Sequence, residues 1–344
     1  MSAVPFDLPI VPMEAKVRTT WPVDGWAYEP KWDGFRAVAA NDDDPRIDSR
    51  KQKPLLRYFP ELLPVVESLP PGCVVDGEVL VVEQDRLAFD MLQARIHPAE
   101  SRIEKLSREI PATLIAFDLL ADRGEDLRAL PFSERRGRLE SLMADVDGAW
   151  RLTPSTTDVD VGKRWFDEFE AAGCDGIVAK QLEGVYIEGK REMIKIKHRR
   201  SVDCVVGGYR VHKDGDKIGS LLLGLYAPNG SLAFIGHCSG FTNHDRIELL
   251  TRFEALRDSA SFGDDVRSPG GESRWSAGKD LSWVPVRPGV VVEISYDQLT
   301  GDRFRHATRF ERWRPDKDPS ESTFDQLERP EGPGFDAISC FGSS

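Results

Sequence analysis

Through much of this chain apolar and polar positions alternate with a period of two, a pattern that predicts strands before any chemistry is considered. Residues 35–40 and 46–49 read as two strands joined by the polar stretch 41–45. Residues 73–82 (Cys-Val-Val-Asp-Gly-Glu-Val-Leu-Val-Val) form an apolar strand that carries two acids. In extended backbone Asp76 and Glu78 fall on one face, and burying either carboxylate demands a cation or hydrogen-bond donors. Another buried strand is expected at 113–120, a turn leading into a short strand at 174–180, and an apolar/basic alternation at 193–200. Helical spacing appears at 87–93, 101–109, 133–146 and 162–172, with Leu139, Leu142, Met143 and Val146 as the inward stripe of the third. The first 25 residues, interrupted by prolines, read as an extended arm or irregular strand.

The pattern changes near Ser201. Short strands are expected at 205–211, 219–226, 231–238, 290–296 and 303–310. One helix intervenes, opened by Thr242 and Asp245 as a capping box and carrying Ile247, Leu250, Phe253 and Leu256 on its apolar face. Five strands with one helix predict a small closed or partly closed barrel. Residues 263–279 are Gly/Ser/Pro-rich and predict a loop, and the polar stretch after 318 predicts a partly disordered tail. The expected organisation is α+β, divided into 1–200, 201–318 and 319–344.

Composition bounds this picture without changing it. With 344 residues, 40% apolar and 30% charged, the chain has room for two globular domains. No run approaches the length of a membrane span, and the N-terminus lacks a secretion signal, so a cytoplasmic location is expected. The five cysteines are odd in number and form no C-x-x-C pair, which argues against a disulfide framework and a zinc ribbon. The formal charge of −12 argues against indiscriminate nucleic-acid binding but leaves room for a local basic groove.

Candidate chemistry starts at Lys31-Trp32-Asp33-Gly34, where one lysine sits by a predicted tight turn between Glu29 and Arg36. A lysine amine is a nucleophile only when neutral, and neutralising it at pH 7 from a pKa of about 10.4 costs roughly 4–5 kcal/mol. Nearby cations lower that cost. Lys195 and Lys197 share one face of an extended segment, which suits either phosphate binding or a solvated strand edge.

These motifs form an ordered set with Ser49-Arg50, Asp76-Gly77-Glu78, Phe117-Asp118, Asp175-Gly176-Ile177-Val178-Ala179-Lys180, Val291-Val292-Glu293-Ile294 and Arg312-Trp313-Arg314-Pro315-Asp316-Lys317. Spread over residues 14–318, the set resembles the covalent nucleotidyltransferases, most closely ATP-dependent DNA ligases of the bacterial stand-alone ligase C type. The resemblance implies a nucleotidyltransferase (ATP-grasp-like) adenylation domain followed by an oligonucleotide-binding barrel. It implies ATP and Mg²⁺ (Mn²⁺ as substitute) as cofactors, nicked duplex DNA and unidentified repair proteins as partners, no membrane, and a monomer. Lys31 would take AMP from ATP, pass it to the 5′-phosphate of a nick, and the 3′-hydroxyl would then close the backbone.

Residue by residue, the resemblance places Lys180, Lys195 and Lys197 in the nucleotide and phosphate pocket, and Glu78 and Asp175 at the metal. Relatives often carry glutamate at the position of Asp175, and tryptophan at or near that of Met193. Glu29 would recognise adenine, Phe117 would stack on it, and Arg36 and Arg50 would hold ribose, phosphate or the DNA end. Arg312, Arg314, Asp316 and Lys317 would supply charge around the leaving pyrophosphate in the first step only, which implies a domain rotation between steps. Glu78, Phe117, Lys180 and Lys195 are therefore expected to converge on Lys31. An RNA ligase or capping enzyme, and a non-catalytic nucleic-acid-binding protein, are the competing readings.

Overall fold

The acid-bearing alternation becomes an eleven-residue strand, Cys73–Glu83, at the centre of the larger sheet in the computed structural model. The structure describes residues 3–97, 99–146, 150–263, 269, 282–327 and 331–339. They fall into two compact units, one formed by Met1–Lys197 with Pro330–Ser344 and the other by His198–Arg329.

The first unit contains two sheets. In the larger, Arg46–Ser49, Phe35–Asn41, Cys73–Glu83, Ala112–Asp122 and Glu125–Asp126 lie side by side, with Trp150–Leu152 running parallel to Ala112–Asp122. The long strands are apolar on both faces because both are covered. Val75, Leu114 and Leu119 pack with Leu139 and Leu142 of the helix Phe132–Asp145, while Val74 and Leu120 belong to a separate cluster with the N-terminal residues Val4 and Ile10. The smaller sheet has the order Glu14–Val17, Arg191–Lys197, Gly176–Gln181, Trp26–Pro30.

Gly176 makes the pairing of the smaller sheet feasible. Its φ is +123°, and a side-chain carbon there would lie 2.0 Å from the Ile196 carbonyl oxygen on the neighbouring strand. Gly176→Ala is expected to destabilise the first unit by about 1–3 kcal/mol through this strain. A thermal midpoint equal to wild type would show that the strand shifts without cost. Gly34 lies at a bend just before Phe35–Asn41 and has a steric role as well. It lies in close contact with the larger sheet, where an added carbon would be 2.3 Å from the Val79 carbonyl oxygen.

The second unit is a curled, open sheet, a half-barrel. Its hydrogen-bonded path runs Leu232–Cys238, Ile218–Tyr226, Arg200–Val211, Val291–Tyr296, Arg309–Trp313. A closed or partly closed barrel is expected from the sequence; the described residues form the partly closed case, with the two ends of this path joined by one parallel bridge, Cys238 to Thr308. The strand predicted at 303–310 is split into Arg303–Phe304, paired with Leu299–Thr300, and Arg309–Trp313. The helix Asn243–Glu254 starts at the expected capping box, with Thr242 and Asp245 bonding each other's backbone N–H. Its inward face differs by a small rotation: Leu249 and Phe253 are buried, whereas Ile247 is exposed.

Two further differences concern boundaries. The helix predicted at 162–172 is Val159–Glu168, started by Asp158, whose carboxylate accepts the Asp160 and Val161 N–H groups. The segment after 318 contributes a short helix, Phe335–Ser339, that belongs to the first unit and has Phe335 and Ile338 buried. The loop predicted at 263–279 lies almost wholly outside the described residues.

Candidate active site

The two sheets of the first unit enclose a cleft of about 210 Å³. The smaller sheet and its connections contribute Glu29, Lys31, Lys180, Met193 and Lys195, and the larger contributes Arg36, Glu78 and Phe117, with Arg50 at the side. Glu78, Phe117, Lys180 and Lys195 thus line one space with Lys31. Lys197 and Asp175 adjoin it through ion pairs: Asp175 Oδ2 lies 2.9 Å from Lys31 Nζ and 3.1 Å from Lys197 Nζ. Backbone bonds fix this arrangement, since the Lys31 N–H donates to the Gly176 carbonyl and the Asp175 N–H to the Lys31 carbonyl, both at 2.8 Å.

Several groups expected to touch nucleotide are also tied to the protein. The Arg36 guanidinium makes a two-point bond to buried Asp76, at 2.6 and 2.5 Å, and its Cζ sits 4.5 Å from the centre of the Phe117 ring. Tyr186 donates its hydroxyl hydrogen to the same Asp76 at 2.6 Å. Lys180 Nζ bonds the Phe117 carbonyl at 2.6 Å and pairs with Glu29 Oε2 at 2.8 Å. Glu29 Oε1 is buried without a hydrogen-bond partner, and Arg136 Nη1 approaches it to 3.6 Å. Arg136 and Tyr186 were not singled out in the sequence. Arg136 sits in the helix Phe132–Asp145 with no local pattern to mark it, whereas an acid such as Asp76 inside an apolar strand already called for a cation.

The electrostatics divide the lysines. Burial, the largest influence on Lys31, pulls its pKa down, but Asp175, Asp33 and Glu78 together outweigh burial and the amine ends above the ordinary lysine value. The expected nucleophile is therefore held as an ammonium by its own carboxylates. Lys195 moves the opposite way, lowered first by burial and then by Lys31 and Lys197. Glu78 is pushed up to about 7, chiefly by burial, against the pull of Arg36 and Lys31.

The basic residues near the end of the second unit are paired within that unit. Arg314 bonds both oxygens of Asp203, at 3.1 and 2.9 Å, and also meets Asp316 at 2.9 Å. Lys317 Nζ lies 2.8 Å from Asp203 Oδ2, and Arg312 bonds Glu293 at 2.6 Å. These bonds hold the Asp316 carboxyl down at about 2, mainly through Arg314.

Comparison with known proteins decides the family. Residues 13–197 match the ATP dependent DNA ligase domain, and residues 214–317 match the ATP dependent DNA ligase C terminal region. The chain belongs to the ATP-dependent DNA ligases. DNA ligase C2 of Mycolicibacterium smegmatis is 47% identical over 337 residues, covering 94% of this chain and 95% of the relative. DNA ligase C of Mycobacterium tuberculosis is 48% identical over 339 residues, covering 94% of each. A solved Lig E DNA ligase shares the fold, with a TM-score of 0.58 at 16% identity over 89% of this chain and 100% of that one.

In this ligase the two candidate metal carboxylates suit a hard cation. Asp175 Oδ1 is buried with no hydrogen-bond partner, and Glu78 is a half-buried carboxyl at the cleft, pushed up to about 7 chiefly by desolvation. Both observations describe oxygens that a cation would stabilise. Among the described residues no group of three or more His, Cys, Asp and Glu side chains forms a protein-only cage. Two carboxylates completed by phosphate oxygens and water match the habit of magnesium.

Proposed function

We propose that this ligase seals 5′-phosphate/3′-hydroxyl nicks in duplex DNA through an AMP carried on Lys31. The observation that carries this reading is the single cleft lined by Lys31, Glu78, Phe117, Lys180 and Lys195, with Asp175 bonded to the lysine at its edge. Lys31 Nζ, after its ammonium gives a proton to solvent, forms the N–P bond to the α-phosphorus of ATP as the bond to the bridging oxygen breaks and pyrophosphate leaves; the new N–P nitrogen then gives a second proton to solvent. Lys195, whose charge is disfavoured first by burial and then by Lys31 and Lys197, is stabilised by a phosphate placed against it. Phe117 offers the adenine a flat apolar face, and Glu29 Oε1 an acceptor without a hydrogen-bond partner.

A magnesium ion held by Glu78 and Asp175 would neutralise two of the carboxylates that keep Lys31 protonated and would screen the phosphate oxygens. In the second unit we read Arg312, Arg314, Asp316 and Lys317 as the charge that meets the triphosphate in the first step. We also read its sheet as an oligonucleotide-binding barrel, supported by the bridge between Cys238 and Thr308. Duplex DNA then meets Lys/Arg groups of both units through its backbone.

Incubation with ATP, magnesium and a 5′-phosphorylated nicked duplex is expected to give sealed product, with AMP–DNA appearing transiently. A nicked RNA duplex is expected to be sealed far more slowly. Preferential sealing of RNA, or transfer of a nucleotide to an RNA 5′ end, would move the chain to the competing reading.

A further inference from the structure

Behind the cleft lies an apolar cluster that includes Trp32, Leu80, Ile115 and Cys174. Each is one or two residues from a site residue: Lys31, Glu78, Phe117 and Asp175 respectively. The cluster is completed by a part of the chain read from sequence as a polar tail. Phe335 and Ile338 are 3% and 0% exposed within it, and the Phe335 ring meets Trp32 edge-on with centroids 5.7 Å apart. Trp32 is also held by its indole N–H, which donates to Thr153 Oγ1 at 2.8 Å. A hydrogen bond and a ring contact thus orient the residue that follows Lys31 in the chain.

The seat for this segment is built into the first unit. Asp85, at the hairpin tip between Cys73–Glu83 and Arg86–Leu87, accepts the Phe335 N–H on its carbonyl and the Asp336 N–H on its carboxylate, both at 2.7 Å. Gly332 passes so close to the chain end of the helix Val159–Glu168 that an added carbon would lie 2.7 Å from the Glu168 carbonyl oxygen and from the Ala171 side chain. Two backbone donors, two buried side chains and one close passage make this a specific docking.

We propose that residues 331–339 are a positioning element for adenylation, with Phe335 acting through Trp32 to hold Lys31 in line for attack. The inference rests on Lys31 being the adenylated residue. Its chemical basis is that in-line displacement at phosphorus tolerates little error in the nucleophile. A misplacement of about 1 Å costs up to about a hundredfold in rate. Removing Phe335 opens a void beneath Trp32, and neighbours collapse into such a void only in part.

The test is the single-turnover rate of lysine–AMP formation in the full-length chain, with folded fraction measured by circular dichroism. Phe335→Ala is expected to form the adduct about tenfold more slowly at saturating ATP, with half-saturating ATP moved by less than about twofold. Phe335→Leu, which keeps most of the apolar volume, is expected to recover most of the rate. Gly332→Val, which obstructs docking and leaves the cluster's own side chains intact, is expected to behave like Phe335→Ala. The proposal is overturned by wild-type rates in folded Phe335→Ala or Gly332→Val, by Phe335→Leu as slow as alanine, or by losses that only track the folded fraction. If wild type forms no adduct, or Lys31→Ala retains it, the reading of Lys31 has failed instead, whatever the tail variants do.

Discussion

Lys31→Ala is expected to abolish the lysine–AMP adduct and to lower nick sealing by at least about 10⁴-fold, the scale on which loss of a covalent nucleophile acts. Labelling with α-labelled ATP reads both results, and an adduct that survives would place the nucleophile elsewhere. The same residue predicts a pH dependence. Burial lowers the Lys31 pKa, but Asp175, Asp33 and Glu78 raise it further, so the free enzyme holds the amine protonated across the neutral range. Below a raised pKa the neutral fraction grows about tenfold per pH unit. Adduct formation at fixed magnesium and ATP is therefore expected to climb steadily between about pH 6 and 9. In metal-free enzyme, Asp175→Asn removes the charge that bonds Lys31 at 2.9 Å and is expected to lower the Lys31 pKa in an NMR titration. An unchanged titration in that variant would show that Asp175 does not govern the proton on Lys31.

The largest effect on stability is expected one residue beyond Phe117. Asp118 is buried and receives two bonds from Arg135, at 2.7 and 3.0 Å, and Arg135 also donates to the carbonyls of Leu130 and Gly184. Both side chains are almost fully excluded from water, at 1% and 2% exposure. Taking away one partner leaves an uncompensated buried charge, which costs about 3–5 kcal/mol. Arg135→Met is expected to lower the melting temperature of the first unit accordingly, and replacing both partners with apolar residues should restore much of the loss. A single variant within about 1 kcal/mol of wild type would mean that water reaches the abandoned carboxylate. Asp118 thus has a structural part within a motif whose neighbour Phe117 faces the cleft.

Local periodicity accounts for what could be read from the chain in advance. The alternation around Lys195 placed that lysine and Lys197 on one face of the strand Arg191–Lys197, and the acids of Cys73–Glu83 marked a strand that needed cations. The ordered motifs then assigned chemistry that periodicity alone does not contain. Arg135 and Arg136 escaped because their partners are far away in sequence: Asp118 lies 17 residues from Arg135, and Glu29 is on another sheet. Nothing in a helix period announces a buried arginine. The protonated state of Lys31 escaped for a similar reason, since the balance between burial and three carboxylates depends on tertiary distances. Phe335 and Ile338 were too few to make a periodic signal, and their partners are supplied by four separate segments.

The clamp around Asp203 sets how much charge the second unit can bring to the first chemical step. Arg312, Arg314 and Lys317 already have carboxylate counterions on Glu293, Asp203 and Asp316. When such a side chain turns to the triphosphate, it exchanges one anion for another and leaves behind a carboxylate that collects a cation from solution. The net charge gained at the leaving pyrophosphate is therefore smaller than the number of basic side chains suggests, and Asp203→Asn will loosen Arg314 and Lys317 for it.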